Sequence, residues 1–315
     1  MAEETLELFV KGSLGTCWYG KYHYLEPWAG CAHDCHYCYA RFRSPVTGKL
    51  AEFKSPYNQP RPLYPKDELL KKIREGVVAD KVKTVKLCRY TDFFNPRFVE
   101  EGLALAVLEE LFRSPVERVI VTTKGVPNQA LLDLMARHAE RVSYNAAVRP
   151  PASIPLEPSL PSAAERLSAA AKMKEAGLLT TVHLDPIIAG VDDDPAVLRP
   201  LLDALKAQGL NRVMFSYLLL SDELAAHLQR HLQPADWNRI LASFDPAELK
   251  QYLPRQEETT YFATRPEVKK ASVAKIFAQL DELGFEYVLC SLKNTPGKER
   301  GEYEGEHLCD GTFYA

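Results

Sequence analysis

Gly30-Cys31-Ala32-His33-Asp34-Cys35-His36-Tyr37-Cys38-Tyr39-Ala40-Arg41 places three cysteines within eight residues, in the spacing C-x3-C-x2-C. Thiolates this close in sequence do not staple distant parts of a fold. They suit one face of a single compact metal centre. Iron–sulfur clusters are held by cysteine thiolates, usually four. Three here, with no fourth at cluster spacing, imply a [4Fe–4S] cluster with one iron open to a small molecule. Zinc is a competing reading, because His33 or His36 would complete a Cys3His set. Structural zinc sites usually bring their ligands as two separated pairs, whereas this is one run. Chance clustering of structural cysteines is the third reading.

Outward from this run, the segment Lys21–Leu25 alternates as a strand and ends at Glu26-Pro27, so the cysteines begin at a strand's carboxyl end. In parallel barrels that end carries the active site. Downstream, helical and strand periodicities take turns. Helices are expected over 66–78, 96–112, 127–138, 162–176 and 195–208, and strands over 82–88, 117–123, 141–145, 178–184 and 211–219. Ser162 with Glu165 forms a capping box, and Gly177 stops that helix. Counting the strand before the cysteines, six strands alternate with helices, which argues for a parallel sheet with right-handed crossovers. A doubly wound open sheet is the alternative from pattern alone. Beyond 220 the rhythm weakens into short helices over 221–231, 234–244 and 246–252, a longer one over 266–283, and a strand over 285–289. Residues 42–65 read as a long loop near the site or a flexible connection.

The 315 residues are 46% hydrophobic and 26% charged, ordinary for a globular chain with a large core. A formal net charge of −3 offers no general attraction to nucleic acid phosphates. No apolar run is long enough to span a bilayer. The acidic start Met1-Ala2-Glu3-Glu4 lacks the features of a signal peptide. A reducing, cytoplasmic setting is therefore expected, with the seven cysteines free of disulfides.

The cysteine run, with aromatic Tyr37 before its third cysteine, resembles the radical S-adenosylmethionine (radical SAM) superfamily. Together with Tyr90-Thr91-Asp92-Phe93-Phe94-Asn95-Pro96, Thr123-Lys124-Gly125, the stretch Pro161–Gly177 and Asp185-Pro186-Ile187-Ile188, it resembles the spore photoproduct lyase group in particular. These blocks run in family order across 26–220. The resemblance implies a partial (β/α)6 TIM-type barrel over 26–220, an N-terminal segment over 1–25 leading into the first strand, and a C-terminal extension over 221–315 at the barrel mouth. It implies an enzyme in which a [4Fe–4S] cluster on Cys31, Cys35 and Cys38 cleaves S-adenosylmethionine to a 5′-deoxyadenosyl radical. That radical abstracts hydrogen from a substrate. A reductant such as a flavodoxin or ferredoxin would supply the electron.

Polar residues at four strand ends suit the cofactor's groups. Lys124 matches the carboxylate, Thr91 or Asp92 the ammonium, and Asn145 the ribose hydroxyls or amino-acid groups. Asp185 closes the fifth strand beside His183, and Tyr37 suits the adenine. By resemblance, Lys124, the turn Tyr90–Asp92 and Asn145 contact S-adenosylmethionine. The spore lyase places a hydrogen-donor cysteine directly before its cofactor-binding turn, but here Arg89 and Tyr90 separate Cys88 from Thr91. A shift of one residue on a strand reverses the face, so Cys88 reads as a thiol donor or a small core residue, the latter preferred.

Three functions are carried forward. One is radical chemistry on a nucleic-acid lesion or nucleoside, with Arg43, Lys49, Lys54, Arg61, Tyr57 and Tyr64 along a path to the site. Another is radical chemistry on a small metabolite or protein. The third is a non-enzymatic zinc-binding module. Of the remaining cysteines, Cys17 is unassigned, Cys290 reads as a small hydrophobe at a strand end, and Cys309, beside His307 and Asp310, reads as a surface thiol ahead of a hydrogen donor or metal ligand.

Overall fold

The structure, a computed structural model, describes residues 5–11, 22–245, 247, 262, 264–290, 307–309 and 311–313. Its strands are β1 Phe9–Lys11, β2 His23–Leu25, β3 Trp28–Ala29, β4 Arg61–Pro62, β5 Thr84–Leu87, β6 Arg118–Thr123, β7 Val142–Val148, β8 Leu179–Ile187, β9 Arg212–Tyr217 and β10 Glu286–Leu289. The helices are α1 Ser44–Glu52, α2 Lys66–Ala79, α3 Pro96–Glu100, α4 Leu103–Arg113, α5 Gln129–Arg137, α6 Ala163–Glu175, α7 Pro195–Ala207, α8 Asp222–His231, α9 Pro234–Leu241 and α10 Pro266–Glu282.

The fold is α/β, with a main sheet of eight strands in the order β1-β2-β5-β6-β7-β8-β9-β10. β1 runs antiparallel to β2, while the pairs β2–β5, β5–β6, β6–β7, β8–β9 and β9–β10 are parallel. The strands of a parallel sheet covered on both faces are apolar throughout, and all seven residues of β7 are buried. The chain divides into two compact units, one of Met1–Ala146, Glu157–Thr181 and Tyr314–Ala315, the other of Ala147–Leu156 and Val182–Phe313.

In the first unit, α2 buries Leu69, Ile73 and Val77, a stripe at helical spacing, and carries Asp67 and Glu68 in its first turn, where the helix dipole favours acids. The Ser162–Glu165 capping box forms at α6. In the second unit, α7 buries Leu198, Leu201, Leu202 and Leu205, and β10 extends the parallel pairing beside β9.

The sheet differs from the six-strand expectation by β1 and β10. β1 overlaps the alternating stretch Leu6–Val10, and β10 is the strand expected over 285–289, outside the regular alternation. The helix expected over 96–112 is two helices, because Gly102 takes φ +73, a left-handed conformation that breaks the run. Residues 42–65 are not a flexible connection. They form α1 and then β4, which pairs antiparallel with β3. Val46, Thr47 and Gly48 give α1 weak intrinsic propensity, so its signal is faint in sequence. Packing holds it: Val46 and Leu50 belong to one buried cluster with Cys31, Ala40 and Tyr57. The helix expected over 246–252 and Cys17 lie outside the described residues.

Candidate functional site

The cysteine loop leaves β3 and is fastened from two sides, both within the first unit. From the β5 side, the Thr91 hydroxyl donates to the Gly30 carbonyl, and Asn95 Oδ1 accepts from the Ala32 amide at 2.7 Å. The Tyr39 hydroxyl donates to the Arg89 carbonyl at 2.8 Å, and the Trp28 indole donates to the Asp92 carbonyl at 2.9 Å. From the segment after α1, the Tyr57 carbonyl accepts from the Cys31 amide at 2.8 Å. Gly30 has φ +83, and a Cβ there would stand 2.6 Å from that same carbonyl, so only glycine fits.

Asp92 is the latch of this arrangement. Its Oδ1 accepts from the Phe94 amide at 2.8 Å and the Thr123 hydroxyl at 2.6 Å, its Oδ2 accepts from the Lys124 amide at 2.6 Å, and His33 Nε2 stands 3.7 Å away. Burial pushes the Asp92 carboxyl up, but the neighbouring His33, the Thr123 hydroxyl and the Lys124 amide together bring it down to about 2. Gly125 permits the Lys124 turn, because a Cβ there would meet the Phe94 carbonyl at 2.3 Å. Both oxygens of Asp92 are thus engaged within the protein, and Thr91 both donates to Gly30 and accepts from Asn95 Nδ2 at 3.2 Å. The geometry makes these two residues positioning groups for the cysteine loop.

The three cysteines are close enough for their charges to act on Cys31 and Cys35. Burial, then the charges of Asp92, Cys35 and Cys38, holds the Cys31 thiol well above the usual range. Burial pushes Cys35 up to about 12 against the pull of the Lys124 ammonium. The His33 amide is directed at the Cys31 sulfur, and the Tyr57 hydroxyl stands 2.9 Å from the Cys38 sulfur. Donors aimed at sulfur fit thiolates, the form in which cysteine binds metal. Among the described residues, no three His, Cys, Asp or Glu side chains are arranged to hold one metal ion. In a cluster each thiolate takes a different iron, so convergence on one point is not required.

Around the thiols, Lys124 Nζ lies 5.4 Å from the centre of the Tyr37 ring. The Tyr37 hydroxyl donates to Glu157, which also accepts from Arg166 Nη2 at 2.8 Å. Glu157 sits in a proline-rich stretch with no periodicity, and no local signal in the sequence marks it. Asn145 is fully buried; its Nδ2 donates to the Val121 carbonyl at 3.1 Å, and its Oδ1 has no partner among the described residues. Thr122 stands in register with Asn145 on β6, and its buried hydroxyl likewise has none. Buried polar atoms are nearly always satisfied, so this neighbouring pair suits a ligand's hydroxyls or amide. Alternation at the end of β6 was the signal for Thr122.

Cys88 is buried beside this group. Burial, then the charges of Glu26, Asp92 and Cys31, keeps its sulfur a neutral thiol. Glu26 accepts from the Arg89 amide and, at 3.0 Å, from the Tyr90 amide, tying the end of β2 to the turn after β5. Burial raises the Glu26 carboxyl from 4.5 to about 8, more than the two amides and the Arg89 charge lower it. A carboxyl raised on folding stabilises fully below its unfolded value and loses that contribution as pH climbs through the folded one. Thermal unfolding at pH 5 and pH 8.5 is therefore expected to show a destabilisation at the higher pH that Glu26→Gln removes. An equal pH slope in both proteins would exclude this role.

Asp185 lies in the second unit, at the end of β8. It accepts from the Ser216 hydroxyl, whose oxygen is 3.4 Å from His183 Nε2. The rest of its block serves a buried ion pair: Arg149 bonds Asp192 at 3.1 Å, the Ser153 hydroxyl at 2.8 Å and the Pro186 carbonyl at 3.1 Å, and Asp192 accepts from the Ile188 amide at 2.8 Å. In 42–64, Tyr57 and Tyr64 do not line an open path. Tyr57 is buried against the cysteines, and Tyr64 packs against the same cluster with Lys72 over its ring at 4.6 Å. Lys49 pairs with Glu52 at 2.7 Å.

A largely parallel sheet with three clustered cysteines in the loop after β3 defines an α/β protein built around a cysteine loop. The sequence model of the Radical SAM superfamily matches residues 25–198, more than half of the chain. The chain belongs to the radical SAM superfamily and is an enzyme. Among solved structures it is similar to a spore photoproduct lyase variant with bound AdoMet and dinucleoside spore photoproduct. That match has 15% identity and a TM-score of 0.57, covering 83% of this chain and 74% of that one. Another spore photoproduct lyase variant matches with 16% identity and a TM-score of 0.59, covering 83% and 74%. At these identities the likeness is one of fold. No curated protein matches the chain. No helix among the described residues is long and apolar enough to cross a membrane.

Proposed function

We propose that Cys31, Cys35 and Cys38 hold a [4Fe–4S] cluster and that this enzyme cleaves S-adenosylmethionine reductively to begin hydrogen abstraction from a nucleoside or nucleic-acid lesion. The observation that carries the cluster is the set of three neighbouring cysteines, Cys31 and Cys35 buried and Cys38 half-buried, with the His33 amide at Cys31 and the Tyr57 hydroxyl at Cys38. When bound, the cluster and S-adenosylmethionine supply one-electron cleavage of the sulfonium and the 5′-deoxyadenosyl radical. The chain's residues bind, orient and exclude water.

Lys124 is proposed to meet the cofactor's carboxylate, since its ammonium stands over Tyr37 and within reach of the field at Cys35. Asn145 Oδ1 and the Thr122 hydroxyl would take hydroxyl or ammonium groups. Tyr37, held by Glu157, would flank the adenine. Thr91 and Asp92, which hold the loop and the Lys124 turn, are also proposed to accept from the cofactor's ammonium. Cys88 keeps an S–H bond and is offered as a hydrogen-atom donor. Asp185 is carried as a further cofactor-side polar group. A reductant of the flavodoxin or ferredoxin kind would deliver the electron.

The nucleic-acid substrate class is supported by the likeness in fold to spore photoproduct lyase. A lesion must leave the base stack to reach an enclosed site. Anaerobic reconstitution with iron and sulfide, dithionite and S-adenosylmethionine is expected to yield 5′-deoxyadenosine; its absence from cluster-loaded protein would sink the proposal. Salt-sensitive oligonucleotide binding supports the nucleic-acid substrate, and its absence transfers the proposal to a small metabolite or protein. Lys124→Ala is expected to weaken S-adenosylmethionine binding by roughly tenfold or more, as for a lost charge-assisted hydrogen bond, with iron content unchanged. Equal affinity in equilibrium titration removes Lys124 from the site.

A further inference from the structure

We propose that Tyr57 tunes the reduction of the cluster through its hydroxyl at the Cys38 sulfur. This rests on the [4Fe–4S] reading above.

Tyr57 lies nineteen residues beyond Cys38, across α1, and its hydroxyl stands 2.9 Å from the Cys38 sulfur. A thiolate only accepts, so the phenol donates. The ring is held on several sides. It belongs to the buried cluster of Cys31, Ala40, Val46 and Leu50. The Arg41 guanidinium lies over it at 4.6 Å, and Arg41 is itself paired with Asp34 inside the cysteine loop. The Tyr57 carbonyl meanwhile accepts from the Cys31 amide at 2.8 Å. One residue therefore contacts two of the three ligands, one through its backbone and the other through its hydroxyl. The backbone contact shapes the loop and needs no particular side chain. The hydroxyl is a separate device.

Hydrogen bonds to ligand sulfurs are among the factors that set an iron–sulfur cluster's reduction potential. The sign follows from charge. Taking up one electron makes the cluster and its thiolates more negative, and the positive end of an O–H dipole at a ligand sulfur stabilises that state more than the oxidised one. The Tyr57 hydroxyl thus raises the potential, easing electron entry from a low-potential one-electron donor. The site is otherwise demanding, because it is buried and Asp92 and Glu157 lie near the thiols.

Tyr57→Phe tests this, since it keeps the ring, the stacked Arg41 and the backbone carbonyl, and deletes only the donor. The wild type and the variant are reconstituted anaerobically, matched for iron and sulfide content, and titrated with dithionite under EPR. The variant's cluster is expected to be harder to reduce by up to about tenfold in the equilibrium, a shift of ~59 mV to lower potential for one electron. A purely structural role would lower cluster occupancy and leave the potential of the loaded fraction alone. An unchanged or raised potential at full occupancy overturns the proposal while the cluster assignment stands. A wild type that takes up no cluster overturns both. The wild type also gives an independent reading. After exchange into deuterium oxide, the reduced cluster should show an exchangeable-deuteron coupling from the phenol, and its absence overturns the proposal whether or not the variant folds.

Discussion

Cys35→Ala is expected to abolish cluster assembly and with it S-adenosylmethionine cleavage. Three thiolates are the whole protein contribution to the centre proposed here, and Cys35 is the middle one, beside Lys124, Tyr37 and Glu157. Two remaining thiolates leave two irons without protein ligands, so the centre loses the asymmetry that directs a small molecule to one open iron. Iron and sulfide content and the visible absorption of anaerobically reconstituted protein check this, with 5′-deoxyadenosine formation as the second readout. The fold should persist, because the alanine methyl is tolerated in the loop and the loop's backbone ties run through Gly30, Cys31 and Ala32. Undiminished cofactor cleavage in this variant would overturn the assignment.

Asp92→Ala should have the largest effect on stability. It orphans the Phe94 amide, the Thr123 hydroxyl and the Lys124 amide, and removes the carboxylate beside His33. Breaking a buried charge arrangement from one side costs about 3–5 kcal/mol, and the three unpaired donors act through the same site, so their costs do not simply add. Chemical denaturation measures the loss; under about 1 kcal/mol would contradict the latch role, on the usual scale of a single net hydrogen bond. Asp92→Asn should fall between, because one amide oxygen still accepts. The sign with pH is the reverse of that at Glu26. Asp92 is lowered from 3.8 to about 2, so its contribution is complete above the unfolded value and fades as pH falls toward 2.

Much of the fold could be read locally. Ser162 and Glu165 announced the start of α6 because a capping box is a four-residue event, and the valine-rich strands announced themselves because side chains alternate every two residues. α1 was missed because its residues are poor helix formers held by burial against the cysteines, a contact with no signature within nine residues. Gly102 was read through because a left-handed glycine and a helical one are the same letter. At the site, Thr91, Asp92 and Lys124 were singled out by position at strand ends. Which of them faces a ligand and which holds the loop depends on hydrogen-bond partners thirty and sixty residues away.

What the sequence by itself determined is the closeness of the three cysteines, since three in eight residues are neighbours whatever the chain does elsewhere, together with the alternating pattern of strands and helices. Tertiary structure alone decided the surroundings of those cysteines: the Tyr57 phenol at Cys38, Glu157 behind Tyr37, and the occupied oxygens of Asp92. The physical reason is range. Covalent spacing confines groups a few residues apart, whereas hydrogen-bond donors from distant segments reach a sulfur or a carboxylate only after the sheet and its loops have assembled.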